Sequence, residues 1–387
     1  MDIRIPSCKH FTGYKPCFPG FNCLDECAKN EPVGTRILLI NLDALGNVLA
    51  TTSILPAIKR KYPVSDLTWL TLKNAAPLLE NNPFIDRVYA WNPESLMILE
   101  EQTFDVVMNV DKSRRSGAFA MRVKAGQKLG FGMDQGGVII PLNKEAEENY
   151  RLGLDDHLKF RVNQKTVPQL ECEEFSLPYA RDEYVLQLTA EELAFCQSYR
   201  QQVGLSDGEV AVGLNTGCSE LYPNKKLTIE QHVTLIQELF PEKGIRLLLL
   251  GGPEDTVRNA EIQRRVGSRV LSTPTEEGVR RGMCYENLCD IVVTGDSFGM
   301  HIAIGLKKHV IAWFGLSCWT EIDLFGRGVK LIPEGLECAP CWKKECPYHL
   351  ECIQMVDLNR IVAEVRRFRD SGPLSRATTK AGLRSDR

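Results

Sequence analysis

Short apolar runs alternate with amphipathic stretches along most of the chain. The runs are rich in β-branched residues, which is typical of buried strands in a parallel sheet. The stretches between them have helical spacing, so the pattern predicts two successive doubly wound α/β domains. The predicted strands are 36–41, 67–71, 87–90, 104–110, 209–215, 245–250, 291–294 and 309–314. The predicted helices are 48–60, 75–80, 228–239, 256–266, 298–306 and 357–369.

A polar, proline-containing stretch separates the two alternations, and each end of the chain has an unusual composition. The N-terminal end is rich in cysteine, proline and glycine, whereas the C-terminal end is polar and mostly basic. The predicted divisions are a Cys-rich leader (1–33), a first Rossmann-like domain (34–190), a second Rossmann-like domain (207–356) containing a Cys-rich segment (338–352), a closing helix (357–370) and a disordered tail (371–387).

One predicted strand, beginning at residue 291, turns directly into a helix after Gly295. Asp296 or Ser297 is the expected N-cap of that helix. The N–H groups of a first helical turn at the carboxyl edge of a sheet form a site for an anion, typically phosphate. Gly299 is expected to leave one side of the turn open, so that a ligand can approach the backbone.

Four turns follow predicted strands at the edge where open α/β sheets bind ligands. These turns are 43–47, 215–226, 251–255 and 295–301. Three of them lie in the second half, so the second domain is expected to bind a phosphorylated donor, with an acceptor on the first. The three turns of the second half also have simpler interpretations: a tight turn at 251–255, a solvated basic turn at Lys225, and a hydrogen-bonded core side chain for His301.

A basic cluster follows the fourth predicted strand of the first half. It consists of Lys112, Arg114 and Arg115. These side chains are either surface charges or a clamp for an anionic acceptor, since arginine matches the geometry of carboxylate and phosphate groups.

Short motifs occur in one order along the chain. They are Ala-Leu-Gly-Asn-Val-Leu at 44–49, Asn-Pro-Phe-Ile-Asp-Arg-Val at 82–88, Asn-Thr-Gly-Cys with a following Lys-Lys at 215–226, Gly-Gly-Pro-Glu at 251–254, Asp-Ser-x-Gly-Met-His at 296–301 and Cys-Ala-Pro-Cys at 338–341. In this combination the sequence resembles glycosyltransferase family 9, the lipopolysaccharide heptosyltransferases, over roughly residues 34–368.

The resemblance implies a GT-B fold, with two Rossmann-like doubly wound domains facing a cleft. It implies an inverting sugar transfer that needs no metal, from a nucleotide-sugar donor such as ADP-heptose to a lipopolysaccharide-core or other lipid-linked glycan. Lys225 and the turn 297–300 would bind the diphosphate, while Asp296 and His301 would shape that turn. The remaining residues expected at the donor are Thr216, Gly252, Glu254, Ser297, Gly299 and Met300.

The first turn departs from the family pattern at one position. The family has Gly-Asp-Val-Leu there, and its Asp is the proposed base for the acceptor hydroxyl, whereas this chain has Asn47. An amide cannot take a proton at neutral pH, so Asn47 cannot be that base. Asp43 lies four residues earlier in the same turn and is the carboxylate that we expect to replace it.

The chain has 14 cysteines, eight of which form two groups of four. Four thiolates suit a structural zinc ion or an iron–sulfur cluster. Free thiols and disulfides are the alternatives, and one group from each end could also form a joint site if the closing helix returns to the first domain. The groups are Cys8, Cys17, Cys23 and Cys27 near the N-terminus, and Cys338, Cys341, Cys346 and Cys352 near the C-terminus.

Composition limits the remaining possibilities. A net charge of −3 gives no basic field for nucleic acid. The sequence has neither an apolar run long enough to cross a bilayer nor a secretion signal, which predicts a cytoplasmic protein. The lipid-linked acceptor that the resemblance implies would require at least transient contact with the inner membrane face. The rival functions are a non-catalytic sugar-nucleotide-binding protein, suggested by Asn47, a metal or redox protein, suggested by the cysteines, and a nucleotide-sugar epimerase.

Overall fold

The computed structural model describes residues 5–24 and 27–371. The predicted disordered tail lies outside the described residues, apart from Ser371. The chain forms two compact units, and short pieces of it cross from one unit to the other. The first unit comprises residues up to 44, 51–155 and 168–182, and the second comprises 45–50, 156–167 and the chain from 183 onward.

The first unit is built on a six-stranded sheet of order β3-β2-β1-β4-β5-β6, in which only β6 is antiparallel. The central strand β1 has four consecutive fully buried residues, as expected of a parallel strand covered on both faces. The strands are β1 Thr35–Ile40, β2 Ser65–Thr71, β3 Arg87–Ala90, β4 Thr103–Asn109, β5 Lys124–Met133 and β6 Ile139–Pro141.

The helices in the first half of the chain, residues 45–174, are shorter than the sequence pattern predicts. The predicted helix 48–60 is divided by a 3-10 turn at Thr52–Ile54, and the predicted helix 75–80 is a single 3-10 turn at Ala76–Leu79. Neither segment presents enough consecutive helical positions for a full helix before a proline or a polar stretch interrupts it. The helices are α1 Leu45–Thr51, α2 Leu55–Lys61, α3 Pro93–Glu101, α4 Arg114–Arg122, α5 Glu147–Leu152 and α6 Val167–Glu174.

The second unit has a six-stranded sheet, entirely parallel, of order β12-β11-β10-β7-β8-β9. All residues of β7 and β10 are buried, which accounts for their unbroken apolar runs. The strands are β7 Val210–Asn215, β8 Ile245–Leu250, β9 Leu271–Ser272, β10 Ile291–Gly295, β11 His309–Trp313 and β12 Gly328–Leu331.

Helices of the second unit begin at well-defined caps. Thr228 caps α8 through a reciprocal hydrogen-bonded box with Gln231, and Asp357 caps α13. Apolar residues of α13, such as Ile361 and Val365, belong to the core of the second unit, so the expected return of the closing helix to the first domain is wrong. The helices are α7 Ala190–Gln202, α8 Ile229–Leu239, α9 Thr256–Val266, α10 Val279–Asn287, α11 Phe298–Gly305, α12 Glu351–Gln354 and α13 Leu358–Asp370.

Both sheets follow the Rossmann order 3-2-1-4-5-6 when the strands of each unit are counted from its own first strand. The strand order therefore reverses between β1 and β4 in the first unit and between β7 and β10 in the second. Ligands of open α/β sheets bind outside the carboxyl ends of the strands at such a reversal. The motifs at 43–47 and 112–115, and those at 215–226 and 295–301, follow these four strands. No helix in the described chain is long and apolar enough to span a bilayer.

Candidate active site

A lysine–aspartate pair lies beside the reversal point of the second sheet. Lys225 Nζ is 2.7 Å from Asp296 Oδ2, and the two side chains are only 14% and 12% exposed. An ammonium has three N–H donors, so the contact with Asp296 uses a fraction of its capacity. Burial would raise the pKa of Asp296, but the neighbouring charge of Lys225, with His301, brings it below its ordinary value. The pair therefore presents an ionised, oriented cation at the end of β10.

Two aromatic rings and one indole N–H fix this lysine further. The Trp313 indole donates a hydrogen bond of 2.9 Å to the Lys225 backbone carbonyl, directly beside Gly295. The ammonium lies 4.8 Å from the ring centroid of Trp342 and 5.6 Å from that of Tyr222. Contacts of this kind attract a cation to the face of the ring. The lysine is thus oriented by Tyr222, which is close to it in the sequence, and by Trp313 and Trp342, which are far from it.

Ser297, one of the two predicted caps, is the N-cap residue of helix α11. Its side chain makes no capping hydrogen bond to the helix, because the hydroxyl accepts from Asn215 Nδ2 at 2.8 Å. The same amide donates to Thr294 Oγ1 at 2.9 Å and so ties the end of β7 to the end of β10. The first-turn N–H groups of α11 are therefore oriented at the sheet edge without a serine cap.

The expected open side of Gly299 is filled by protein. A Cβ at this position would lie 2.7 Å from Asn215 Nδ2. The glycine is required because the Asn215 amide packs against its backbone, and the prediction that it gives a ligand access from that side is wrong. Met300, the next residue, is fully buried and contributes to the core.

His301 is a packed side chain at the base of the same turn. Its ring is stacked with that of Tyr184 at 6.0 Å between centroids, with Nδ1 3.3 Å from the tyrosine hydroxyl. Burial, partly opposed by Asp296, lowers the pKa of His301 to about 4, so the imidazole is neutral at pH 7. Gly46 packs on its other side, since a Cβ there would lie 2.5 Å from His301 Cδ2. The histidine therefore connects α1 to the turn at 295–301 within the second unit.

The turn after β8 is organised around Asp255. Its carboxylate accepts from Gly252 N at 3.0 Å and lies 3.3 Å from Lys226 Nζ. Thr216 is 1% exposed, and its hydroxyl is 2.5 Å from Asn259 Oδ1. Glu254 is exposed at the beginning of this turn. Of the residues predicted at the donor here, Thr216 and Gly252 make hydrogen bonds within the protein, and Glu254 is exposed.

The first turn is held by hydrogen bonds to the backbone N–H and the backbone carbonyl of Leu42. Its N–H donates to Asp111 Oδ2, and its carbonyl accepts from Arg115 Nη2 at 2.9 Å. Burial raises the pKa of Asp111 to about 7, with the nearby Asp43 adding to the effect. Asp43 is exposed, and its carboxylate accepts from Ala44 N at 2.7 Å. Arg115 thus supports the turn.

The remaining basic residues differ in their surroundings. Lys112 Nζ donates to the carbonyl and the side-chain oxygen of Asn149, the latter at 2.9 Å, and lies over the ring of Phe131. Arg114 is exposed at the first position of α4. Asn47, half-buried in α1, lies one residue from the contact between Gly46 and the histidine.

The C-terminal cysteine group surrounds a single small cavity of about 20 Å³. All fourteen cysteines are free thiols, and no three side chains of the described chain stand in metal-binding geometry. Members of the N-terminal group range from half-buried to exposed. The residues lining the cavity include Cys338, Cys341, Cys346 and Cys352.

Sequence reasoning missed several residues that orient the site. Asn215 lay inside a predicted turn, but its role depends on a partner 82 positions away. Trp313 and Lys225 are 88 positions apart, and Tyr184 and His301 are 117 apart. The ends of the buried strands indicate which turns lie close together, but they do not predict these individual side-chain contacts.

Two Rossmann-like units, each with its chemical motifs at the strand-order reversal, define the GT-B fold class. The family model for glycosyltransferase family 9 (heptosyltransferase) matches residues 97–351, about two thirds of the chain. The chain therefore belongs to glycosyltransferase family 9.

Curated and solved relatives agree with this assignment. Lipooligosaccharide heptosyltransferase 2 of Campylobacter jejuni is 31% identical over 182 residues, which are 46% of this chain and 57% of that protein. The chain thus matches little more than half the length of this relative. The structure of a family 9 glycosyl transferase from Veillonella parvula has a TM-score of 0.67 at 16% identity, covering 88% of this chain and 99% of that one. The structure of E. coli ADP-heptose LPS heptosyltransferase II has a TM-score of 0.65 at 18% identity, and the match covers 87% of this chain and 99% of that one.

Proposed function

We propose that the chain is an inverting glycosyltransferase that moves a heptose-like sugar from a nucleoside diphosphate donor to a lipopolysaccharide-core or other glycan acceptor. ADP-heptose is the donor that we favour, because it appears in the name of the E. coli relative. The observation that carries the proposal is the Lys225–Asp296 pair beside the uncapped first turn of α11. The Lys225 ammonium has N–H donors beyond the one used by Asp296, and these donors and the first-turn N–H groups of α11 would face a diphosphate at this edge.

In the proposed reaction the acceptor hydroxyl attacks the anomeric carbon of the donor. The new C–O bond forms as the bond from that carbon to the diphosphate oxygen breaks, which inverts the configuration. The negative charge that grows on the leaving diphosphate is stabilised by Lys225 and the α11 N–H groups. No catalytic metal takes part in the proposed reaction. Asp43 takes the proton of the hydroxyl, because it is an exposed carboxylate in the first turn.

A titration with nucleotides tests the donor. We expect ADP to raise the melting temperature and to bind more tightly than UDP, GDP or CMP, since a ligand of the folded state stabilises it by mass action. Release of ADP from ADP-heptose in the presence of a glycan acceptor then tests transfer. If none of the nucleotides bound, the proposed donor site would be wrong.

A binding-only protein is the second candidate, favoured by Asn47. Losing a general base typically costs about a hundredfold to ten-thousandfold in rate, while binding persists. Asn47→Asp discriminates between the two: a large gain in turnover indicates a transferase scaffold that lacks its base. Nucleotide binding without turnover in either form indicates a binding function.

The acceptor and the location form part of the same proposal. A lipid-linked acceptor would bring the protein into transient contact with the cytoplasmic face of the inner membrane. Arg114, exposed at the start of α4, is the basic residue that we propose for an anionic acceptor. Arg114→Ala should raise the KM for the acceptor and leave the KM for the donor unchanged.

A further inference from the structure

Helix α7, all of which the structure describes, lies at the surface of the second unit and buries one side chain, that of Cys196. Its other apolar positions, such as Leu193 and Phe195, are half-buried. The stability of a helix in a protein comes mainly from packing of its apolar face, so α7 has little of this support. Elements with few buried apolar contacts open locally more readily than core elements do. Such openings give a small molecule access to the Cys196 thiol.

The partner of α7 is α10, and three contacts fix the register of the two helices. Arg280 donates to the Glu192 carboxylate at 2.7 Å, and Arg200 donates to the carbonyl of the residue after α10 at 3.3 Å. Between these contacts, the Cys196 thiol donates to the Cys284 carbonyl at 3.5 Å. Each contact joins residues 88 positions apart, and successive contacts lie one helical turn further along both helices. The helices therefore run in the same direction with Cys196 opposite Cys284.

The two thiols are themselves in hydrogen-bond contact. Aromatic rings pack the helices together beside them, since Tyr285 lies 5.8 Å from Phe195 and 5.0 Å from Tyr199 between ring centroids. A disulfide needs its two cysteines on closely approaching backbones with their side chains facing each other. Cys196 and Cys284 meet both conditions, because the sulfur of one lies against the backbone and the thiol of the other.

The surroundings make Cys196 the nucleophile of the pair. The hydrogen bond from the Cys284 thiol lowers the pKa of Cys196, and it outweighs the opposing effect of burial. Asn287 and the charge of Lys308 lower the pKa of Cys196 further, while the hydrogen bond between the thiols and burial raise the pKa of Cys284. Cys196 is also the more exposed thiol, at 6% against 1%. An attacking thiolate at Cys196 and a resolving thiol at Cys284 follow from these differences.

We propose that Cys196 and Cys284 form a site of reversible oxidation, at which hydrogen peroxide converts the two thiols into a disulfide between α7 and α10. The Cys196 thiolate attacks a peroxide oxygen, so an S–O bond forms as the O–O bond breaks, and the departing hydroxide takes up a proton to become water. The Cys284 sulfur then attacks the sulfenic sulfur of Cys196. The S–S bond forms as the S–O bond breaks, and the hydroxyl leaves with the Cys284 proton as a second water. Two electrons pass from the sulfurs to one peroxide.

The disulfide would join two segments that hold different parts of the second unit. The chain crosses into this unit at residue 183 and forms α7 as its next helix, whereas α10 leads directly into the buried strand β10. A cross-link between positions 88 apart constrains the unfolded chain, so oxidation is expected to raise the melting temperature by about 5–15 °C. The proposal does not rest on the proposed function, because no sugar nucleotide takes part in the oxidation.

Treatment of the reduced full chain with stoichiometric hydrogen peroxide is the test, followed by denaturation with an alkylating reagent and mass spectrometry. Two of the fourteen thiols should escape alkylation, with loss of two hydrogens by mass, and dithiothreitol should restore both. The bridge should join the tryptic peptides 182–200 and 282–307. Peroxide that leaves all thiols free, oxidises Cys196 without a bridge, or joins other peptides would overturn the proposal.

Serine variants assign the bridge, because Cys284 and Cys289 lie on the same tryptic peptide. Cys196→Ser and Cys284→Ser should each lose both the bridge and the rise in melting temperature. Cys289→Ser should keep both, and so should Cys172→Ser, which changes a buried cysteine of the first unit. A bridge that persists in Cys284→Ser and disappears in Cys289→Ser would refute the pairing. Fragmentation of the cross-linked wild-type peptides identifies the sulfurs even if a variant does not fold.

Discussion

Substituting Lys225 and Asp296, singly and together, separates what the pair contributes to protein stability from what it contributes to ligand binding. Lys225→Met removes the cation and leaves a carboxylate that is 12% exposed without its partner. Asp296→Asn removes the negative charge and leaves the ammonium. The double variant has neither charge and keeps side chains of similar size. The three variants therefore form a double-mutant cycle around one contact.

The expected magnitudes follow from the burial of the pair. Leaving a buried partner of a charged hydrogen bond unpaired costs about 1–3 kcal/mol of stability. Lys225→Met should therefore lower the free energy of unfolding by about 2 kcal/mol, and the double variant should recover most of this loss. A charge-assisted hydrogen bond to a diphosphate contributes about 1.5–3 kcal/mol. Both variants that lack Lys225 should then bind ADP about tenfold to a hundredfold more weakly.

Urea unfolding and calorimetry with ADP measure the two quantities on the same preparations. The pair holds the pKa of Asp296 below its ordinary value, so its stabilisation is complete above about pH 4 and is lost as the pH falls through the folded-state pKa. The double variant should lack this acid-dependent loss. If the double variant regained ADP affinity together with stability, Lys225 would be a structural residue and not a donor ligand.

Three further predictions concern the turns. Gly46→Ala should destabilise by about 1–3 kcal/mol in urea unfolding, since its Cβ would lie 2.5 Å from His301 Cδ2, whereas Gly208→Ala, which has open space, should change stability little. His301→Gln should remove a loss of stability that wild type shows as the pH falls from about 6.5 to 4, because the folded imidazole resists protonation; an unchanged pH profile would contradict this. Asp111→Asn should keep an acceptor for Leu42 N–H and should gain stability relative to wild type as the pH rises from about 4 to 7, because the wild-type carboxyl ionises in the unfolded state over this range while burial keeps it protonated in the folded state; a difference that does not depend on pH would refute the assignment.

The sequence predicts the strands well where burial on both faces makes the apolar run continuous. β3 and β8 have the predicted bounds, and β1 and β7 differ by one residue. β5 was missed because glycine, lysine and glutamine interrupt its pattern, and its first half is largely exposed. Helices such as α3 and α10 were missed for a similar reason, since only part of each buries an apolar face.

The candidate site was predictable in outline and not in its contacts. The Rossmann strand order brings the turns after β7 and β10 together, so Lys225 and Asp296 could be placed at one edge from the sequence. Which side chain then occupies the space beside Gly299 depends on the rotamer of Asn215, and no periodic pattern encodes a rotamer. The same holds for the Trp313 indole, whose partner is a backbone carbonyl, a group that every residue has.

The proposed donor lysine contacts Asp296, Trp313, Trp342 and Tyr222, and these contacts depend on different parts of the fold. Trp313 and Asp296 both lie at strand ends of the sheet, so the indole and the counter-charge persist as long as β10 and β11 are paired. Trp342 lies outside the sheet, in a segment with almost no buried residues. Disorder of this segment would remove the cation–π contact between Trp342 and Lys225 and leave the Lys225–Asp296 ion pair intact. Disorder of the Cys-rich segment is therefore expected to change the affinity of the proposed nucleotide site in a graded manner, without unfolding the second unit.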